Sequence, residues 1–301
     1  VMGEPAVGRR FKGNVWKRKR SKFVETTDNV WYNGNVRKKY VRKRKEMEKC
    51  RIGFIHGSFD MFNVEDLKRI QEAKEECEEL IVGVYDDNLI LEKEGKSAVI
   101  QCEERKRIVN AIKGVSGVVE IDDMEILKRR GELASRIKDA MKQEPEEETE
   151  KKYKTGFIQG TFDMFHFGHL NLVNRAKKQC EELIVGVNTD ELVRMYKNKT
   201  PIVPFEQRKE ILEAIKGVSR VVGMEDRNKM KAAREIGFNA LIMGNDWEGS
   251  EFYNIMEEEL RGVGVDVVYL PYTQGISSTK LRATLGKDND GKEIKPEDDG
   301  R

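Results

Sequence analysis

Two of the chain's three histidines, His166 and His169, stand three positions apart in His166-Phe167-Gly168-His169. Imidazoles titrate near neutrality, so such a pair can donate hydrogen bonds or protons to an anion. Gly168 between them lets a ligand approach the backbone closely. The motif follows a short apolar run at 156–159 and precedes helical spacing over 170–180, which predicts a helix N-terminus at the histidines. Such an end offers free N–H groups and a partial positive charge, both suited to phosphate. The plain alternative, two loop histidines without a task, is disfavoured by the adjoining Gly160-Thr161-Phe162-Asp163.

The elements that must position this motif occur twice. GFIHGSFDMFN at 53–63 returns as GFIQGTFDMFH at 156–166, an offset of 103 positions. The offset persists through EELIVGV at 78–84 and 181–187, and through AIKGVS at 111–116 and 214–219. A gapless register over this length is a duplication. Each copy reads strand, loop, helix, strand, helix, strand. The runs 80–84 and 183–187 are continuously apolar, as strands buried on both faces are. Alternating strands and helices imply an α/β fold, a parallel sheet with helices on both faces. Only the second copy continues, with an apolar strand at 240–243, a charged helix at 251–260 and a strand at 265–270. The first is therefore expected to be a truncated sheet, its tail at 122–142 helical.

Five segments follow. Residues 1–50 are basic, with Lys17-Arg18-Lys19-Arg20 and Arg42-Lys43-Arg44-Lys45, lack periodicity and are expected to be poorly ordered. Residues 51–142 hold the first copy, 143–153 a charged linker, 154–285 the second copy and 286–301 a charged tail. The net charge of +2 gives no polyelectrolyte signal, so nucleic acid is not the expected partner. No apolar run approaches the roughly 20 residues that cross a bilayer. The N-terminus has no apolar leader, and Cys50, Cys77, Cys102 and Cys180 form no CxxC pair. Reduced thiols and a cytoplasmic location are expected.

Residues 160–169 match G-T-F-D-x-x-H-x-G-H at every defined position. This stretch resembles the signature of the cytidylyltransferases of the nucleotidylyltransferase superfamily. The resemblance spans some 130 residues of the second copy. Met243-Gly244-Asn245-Asp246-Trp247-Glu248-Gly249 is similar to the M-G-D-D-W-E-G stretch of the branch acting on glycerol 3-phosphate. Gly275-Ile276-Ser277-Ser278-Thr279 is similar to the end of its R-T-E-G-I-S-T-T motif. The resemblance implies a Rossmann-like sheet that couples CTP to a phosphomonoester, with loss of pyrophosphate. Such a reaction needs alignment and positive charge more than covalent catalysis. His166, His169 and Lys199 are then the catalytic candidates. Gly160, Thr161, Phe162, Lys197, Arg208, Gly275, Ile276, Ser277 and Ser278 are the nucleotide-binding ones. Asp163, Asp246, Trp247 and Tyr272 are expected to hold or support the acceptor, with Asp163 as a loop anchor. Mg²⁺ is expected to enter with the nucleotide phosphates, although no dedicated metal cage is visible.

Two departures bear on the acceptor. Tyr272 stands where the family has the Arg before T-E-G-I-S, and Gln274 where it has Glu. Loss of that guanidinium removes a permanent cation with a planar donor fork. Glycerol 3-phosphate is the expected acceptor. Phosphocholine or phosphoethanolamine, ATP for CTP, and a non-catalytic nucleotide-binding scaffold are the alternatives. In the first copy Asn63, Glu65 and Asp66 replace His166, Gly168 and His169, and two carboxylates repel a triphosphate. That copy is expected to be inactive. Enzymes of the resembling family pair as dimers, so the first copy is expected to serve as a built-in pseudo-partner, or the chain to form a homo-oligomer.

Overall fold

The computed structural model describes residues 30–32, 49–142, 150–245, 248–249 and 251–286. The first copy runs β2 (Cys50–Gly57), α1 (Val64–Glu75), β3 (Cys77–Tyr85), α2 (Asp87–Glu94), α3 (Cys102–Asn110), β4 (Val115–Ile121), a 3₁₀ turn (Met124–Leu127) and α4 (Arg130–Ala140). The second runs β5 (Tyr153–Gly160), α5 (Phe167–Lys177), β6 (Cys180–Asn188), α6 (Asp190–Lys197), α7 (Phe205–Glu213), β7 (Arg220–Met224), α8 (Lys229–Ile236), β8 (Ala240–Gly244), α9 (Glu251–Gly262), β9 (Asp266–Leu270) and α10 (Ser278–Leu285). A short strand, β1 (Val30–Tyr32), precedes both.

The second sheet has the order β7-β6-β5-β8-β9, every pair parallel. Chain order reverses direction on either side of β5, so a crevice opens at the carboxyl ends of β5 and β8, where open α/β sheets bind ligands. The strand interiors read as unbroken apolar runs because helices cover both faces. Phe157, Ile158, Val185 and Val187 are all fully buried. Each contributes roughly 1.5–3 kcal/mol relative to leaving it exposed.

The first sheet has the order β1-β2-β3-β4, also parallel. Its truncation is partly filled from outside the repeat. Strand β1 lies on β2 in register Val30↔Ile52, the side that β8 takes on β5. Part of the basic segment is thus sheet, and the rest of 1–48 lies outside the described residues. Two helices, not one, join the second and third strands of each repeat, α2 with α3 and α6 with α7. The helices expected to reach Cys77 and Cys180 stop earlier. Both cysteines begin strands, and their thiols donate back to Ala73 O at 3.3 Å and Ala176 O at 3.4 Å.

The two copies meet about a pseudo-two-fold axis. Ile112 and Ile215 form an antiparallel bridge, flanked by Lys113 N donating to Ala214 O and Lys216 N donating to Ala111 O, both at 2.7 Å. Lys113 Nζ donates to the carbonyls of Glu213 (2.7 Å) and Val218 (3.0 Å). Lys216 Nζ returns the contact to Asn110 and Val115, both at 2.8 Å. Every partner has its equivalent 103 positions away, the pattern of an isologous dimer interface inside one chain. One continuous hydrophobic cluster runs through the join, from Ile55 and Leu67 to Leu212 and Ile215.

Candidate active site

Between β5 and α5 the backbone turns through two left-handed non-glycine residues, Phe162 (φ 54) and Met164 (φ 48), both buried. Asp163 between them is 3% exposed. Its carboxylate accepts from the backbone N–H of Ile202 (3.0 Å) and Val203 (2.9 Å) and pairs with the Arg282 guanidinium. Asp163 therefore ties two other segments, 202–203 and α10, to its loop.

The loop delivers His166 to the N-cap of α5. Its Nδ1 accepts from Gly168 N at 3.1 Å, and its own backbone N–H points to His169 Nδ1 at 3.4 Å. The two rings stack, with centroids 3.7 Å apart and planes 21° from parallel. A Cβ on Gly168 would lie 2.9 Å from the His166 ring, so this packing needs glycine. With both Nδ1 atoms accepting, the neutral rings carry their protons on Nε2. The Ser278 hydroxyl donates to Asp163 O at 2.9 Å and lies 3.5 Å from His166 Nε2.

Burial changes the protonation expected from residue type. Desolvation lowers the His166 pKa to about 4, with the Asp163 carboxylate opposing the shift. His169 is lowered well below its ordinary value by desolvation, then by His166 and Lys197. In the free protein the pair is neutral at pH 7, not poised near neutrality. It offers hydrogen bonds, and the fixed positive charge comes from elsewhere.

Lys197 ends α6, its ammonium 5.6 Å from the Tyr196 ring centre, and Lys199 follows the left-handed Asn198. Both lysines are exposed. Ser277 caps α10, accepting from Lys280 N at 3.2 Å. Gly275 ahead of it has φ 96, a conformation that glycine adopts without strain. Ile276 packs near Met164 and Leu281. Tyr272 is 46% exposed, and its N–H donates to Asn245 Oδ1 at 3.1 Å. Thr161 Oγ1 lies 3.2 Å from the Tyr196 hydroxyl, and Gly160 ends β5. Asp246 and Trp247 lie outside the described residues.

Arg208, expected among the nucleotide-binding residues, has a side chain that is 0% exposed. Nε donates to Val203 O at 2.8 Å, Nη2 pairs with Asp190 Oδ1 at 2.6 Å, and Nη1 donates to Thr161 O. It is a buried tie beneath the β5 loop. Arg105 makes the equivalent tie in the first copy, to Ile100 O, Ser58 O, Tyr85 O and Asp87.

The structure adds a polar cluster that lies outside the sequence motifs. At the β5–β6 end, Gln159 Nε2 donates to Asn188 Oδ1 (2.8 Å) and to Asp226 O (3.0 Å), while Asn188 Nδ2 donates to Tyr196 Oη (3.0 Å). Lys229 Nζ donates to Gln159 Oε1, and the Arg227 guanidinium lies 4.7 Å over the Tyr196 ring. Burial first, then Arg227, lowers the Lys229 pKa to about 8. The available signal was two polar residues, Gln159 and Asn188, at the carboxyl ends of otherwise apolar strands.

In the first copy, Arg69 crosses the end of β2. It donates to His56 O at 3.0 Å, pairs with Asp66 at 3.4 Å and lies 5.5 Å over the Phe59 ring. His56 Nδ1 is 2.6 Å from the Tyr85 hydroxyl. A guanidinium of the chain itself thus fills space beside Gly57, the equivalent of Gly160.

A family model described as cytidylyltransferase-like matches residues 54–158 and again 157–284. The chain belongs to the cytidylyltransferase-like family. It is an enzyme of the nucleotidyltransferase kind, carrying two family segments in tandem. It is 36% identical over 127 residues to glycerol-3-phosphate cytidylyltransferase of Bacillus subtilis, a match covering 42% of this chain and 92% of that protein. The Staphylococcus aureus enzyme of the same name is 35% identical over 131 residues, covering 43% and 93%. FAD synthase of Thermococcus kodakarensis is 37% identical over 131 residues, covering 42% and 85%. Among the described residues of this cytidylyltransferase-like chain, no helix is long and apolar enough to cross a membrane.

Proposed function

We propose that the second copy transfers the cytidylyl group of CTP to glycerol 3-phosphate, giving CDP-glycerol and pyrophosphate. One phosphate oxygen of the acceptor forms a bond to the α-phosphorus of CTP as the bond to the β-phosphate bridging oxygen breaks. The observation that carries this reading is the stacked His166–His169 pair, its Nδ1 atoms tied back so that Nε2–H is the donor of each ring, that of His166 beside Ser278 at the N-terminus of α10. Fixed donors of this kind stabilise charge that builds on phosphate oxygens, and losing one costs about 10²–10³ in rate. Lys199, with Lys197, supplies positive charge to the triphosphate, and Ser277 and Ser278 supply hydroxyl and backbone donors. Arg227 and Lys229 supply the acceptor phosphate with the charge that Tyr272 cannot. Asp246 and Trp247 stay candidates for the acceptor's alcohol end.

Mg²⁺ enters, in this reading, on the phosphates themselves. Among the described residues no group of three or more His, Cys, Asp or Glu side chains gathers as a cage. The first copy is taken as non-catalytic because Asn63, Glu65 and Asp66 replace the imidazole motif and Arg69 fills the adjoining space. The likeness to FAD synthase supports a second reading, another nucleotide with another acceptor. Pyrophosphate release from purified protein, with CTP or ATP crossed against glycerol 3-phosphate, phosphocholine, phosphoethanolamine and FMN, separates the two. Turnover confined to CTP with glycerol 3-phosphate is the expected result, and turnover only with another pair reassigns the acceptor.

A further inference from the structure

The β5–α5 loop holds two residues, Phe162 and Met164, in left-handed backbone conformations that persist only where the surroundings over-determine them. Phe162 is held from within its own copy, with the His169 ring edge-on at 5.3 Å. Met164 is held across the join. It is 4% exposed in a cluster whose other enclosed members are Ile100 of the first copy and Leu281 of α10. Met61 and Val99 from the first copy, and Ile202, Val203 and Ile276 from the second, pack around them.

The first copy's part of this cluster is held by hydrogen bonds on both sides of Ile100. The Ile100 N–H donates to Asp60 at 2.9 Å, its carbonyl accepts from Arg105 Nε at 2.8 Å, and its side chain is 1% exposed. On the other side, Met164 sits two residues before His166, and Leu281 is borne by the helix whose Ser278 hydroxyl reaches Asp163 O and the His166 ring. A second contact runs parallel. Helix α3 packs beside α5, with the Arg107 guanidinium 5.0 Å over the ring of Phe167, the residue next to His166.

We propose that the first copy is a built-in positioning subunit for the second copy's active site, with Ile100 as the positioning residue that locks Met164 and α10. The first copy therefore keeps its core and its side of the pseudo-two-fold join while lacking the imidazole pair. The kinetic part of this proposal rests on nucleotidyl transfer by the second copy. The structural part does not.

The test uses the full chain with Ile100→Ala, Ile100→Val and a control, Ile126→Ala. Ile126 is equally buried but sits in the separate first-copy cluster with Phe54, Ile81 and Ile137. Amide hydrogen exchange over 161–169 and 276–282 and steady-state kinetics with CTP are measured for each. Ile100→Ala is expected to speed exchange in both segments about tenfold. It is also expected to lower kcat about tenfold, with a smaller change in KM, since slight misplacement of reacting groups is costly. Ile100→Val recovers most of the loss. Ile126→Ala lowers Tm comparably and leaves loop exchange and kcat at wild-type values. Equal effects of Ile100→Ala and Ile126→Ala on loop exchange, or none from Ile100→Ala, overturn the proposal. Faster loop exchange in Ile100→Ala, with wild type turning over no nucleotide pair, upholds the positioning role and sinks the proposed reaction.

Discussion

Replacing Arg208 with methionine distinguishes a structural tie from a nucleotide ligand. The substitution keeps most of the aliphatic volume and deletes the guanidinium. It strips the carbonyls of Val203 and Thr161 of a donor and leaves the Asp190 carboxylate without its 2.6 Å partner. Removing one partner of a buried ion pair costs about 3–5 kcal/mol. Asp190 is 23% exposed, so water screens part of the loss and about 3 kcal/mol is expected. If the joined copies unfold as one unit, Tm falls by roughly 6–12 °C, at 2–4 °C per kcal/mol for a domain of that size. Arg105→Met in the first copy, whose guanidinium makes the same kind of ties, should cost less, because its partner Asp87 is 49% exposed. The assay is a thermal melt of each variant, paired with kinetics well below both midpoints. Arg208→Met with Tm within about 1 °C of wild type and a KM for CTP raised about tenfold would refute the buried-tie reading and restore Arg208 as a nucleotide ligand.

Three further outcomes are expected. Lys229, lowered to about 8, is charged below that pH and loses its charge above it, so the KM for the phosphorylated acceptor should rise as pH passes through 8. Lys229→Met should flatten that rise, and an unchanged profile removes Lys229 from acceptor binding. His166, lowered to about 4, is already neutral at pH 6.5 in the free protein, so its imidazole resonances in an NMR titration should show no midpoint near 6.5, and one found there contradicts the burial argument. His56 and His166 are both lowered to about 4, so between 6.5 and 4 the unfolded chain binds protons that the folded chain refuses. Stability is therefore lost as pH falls through that window, and a Tm that holds constant from pH 7 to 4 would be inconsistent with it.

Much of this architecture is legible in the sequence because the repeat reports it twice. The runs 80–84 and 183–187 identify central parallel strands, and the Gly160–His169 spacing places the histidines at a helix start. What escapes has physical reasons. Strand β1 is three residues long and is held by pairing with β2, which leaves no side-chain periodicity to read. Helices α2 and α6 are eight residues each and merge with their loops in a pattern search. Lys229 begins α8 amid Glu225, Asp226, Arg227 and Asn228, and its partner Gln159 lies 70 positions away. The buried tie made by Arg208 has a clue in the repeat. Arg105 survives in the copy that lost both imidazoles, as expected of a residue that serves the fold.

The most direct measurement is pyrophosphate release from CTP and glycerol 3-phosphate by wild type, His166→Ala and His169→Ala. Wild-type turnover with a loss of about 10² or more in kcat for each variant, measured well below a Tm lowered by a few degrees for the lost cap and stacking, is what donors acting on developing phosphate charge require. Either variant releasing pyrophosphate at the wild-type rate would contradict the account.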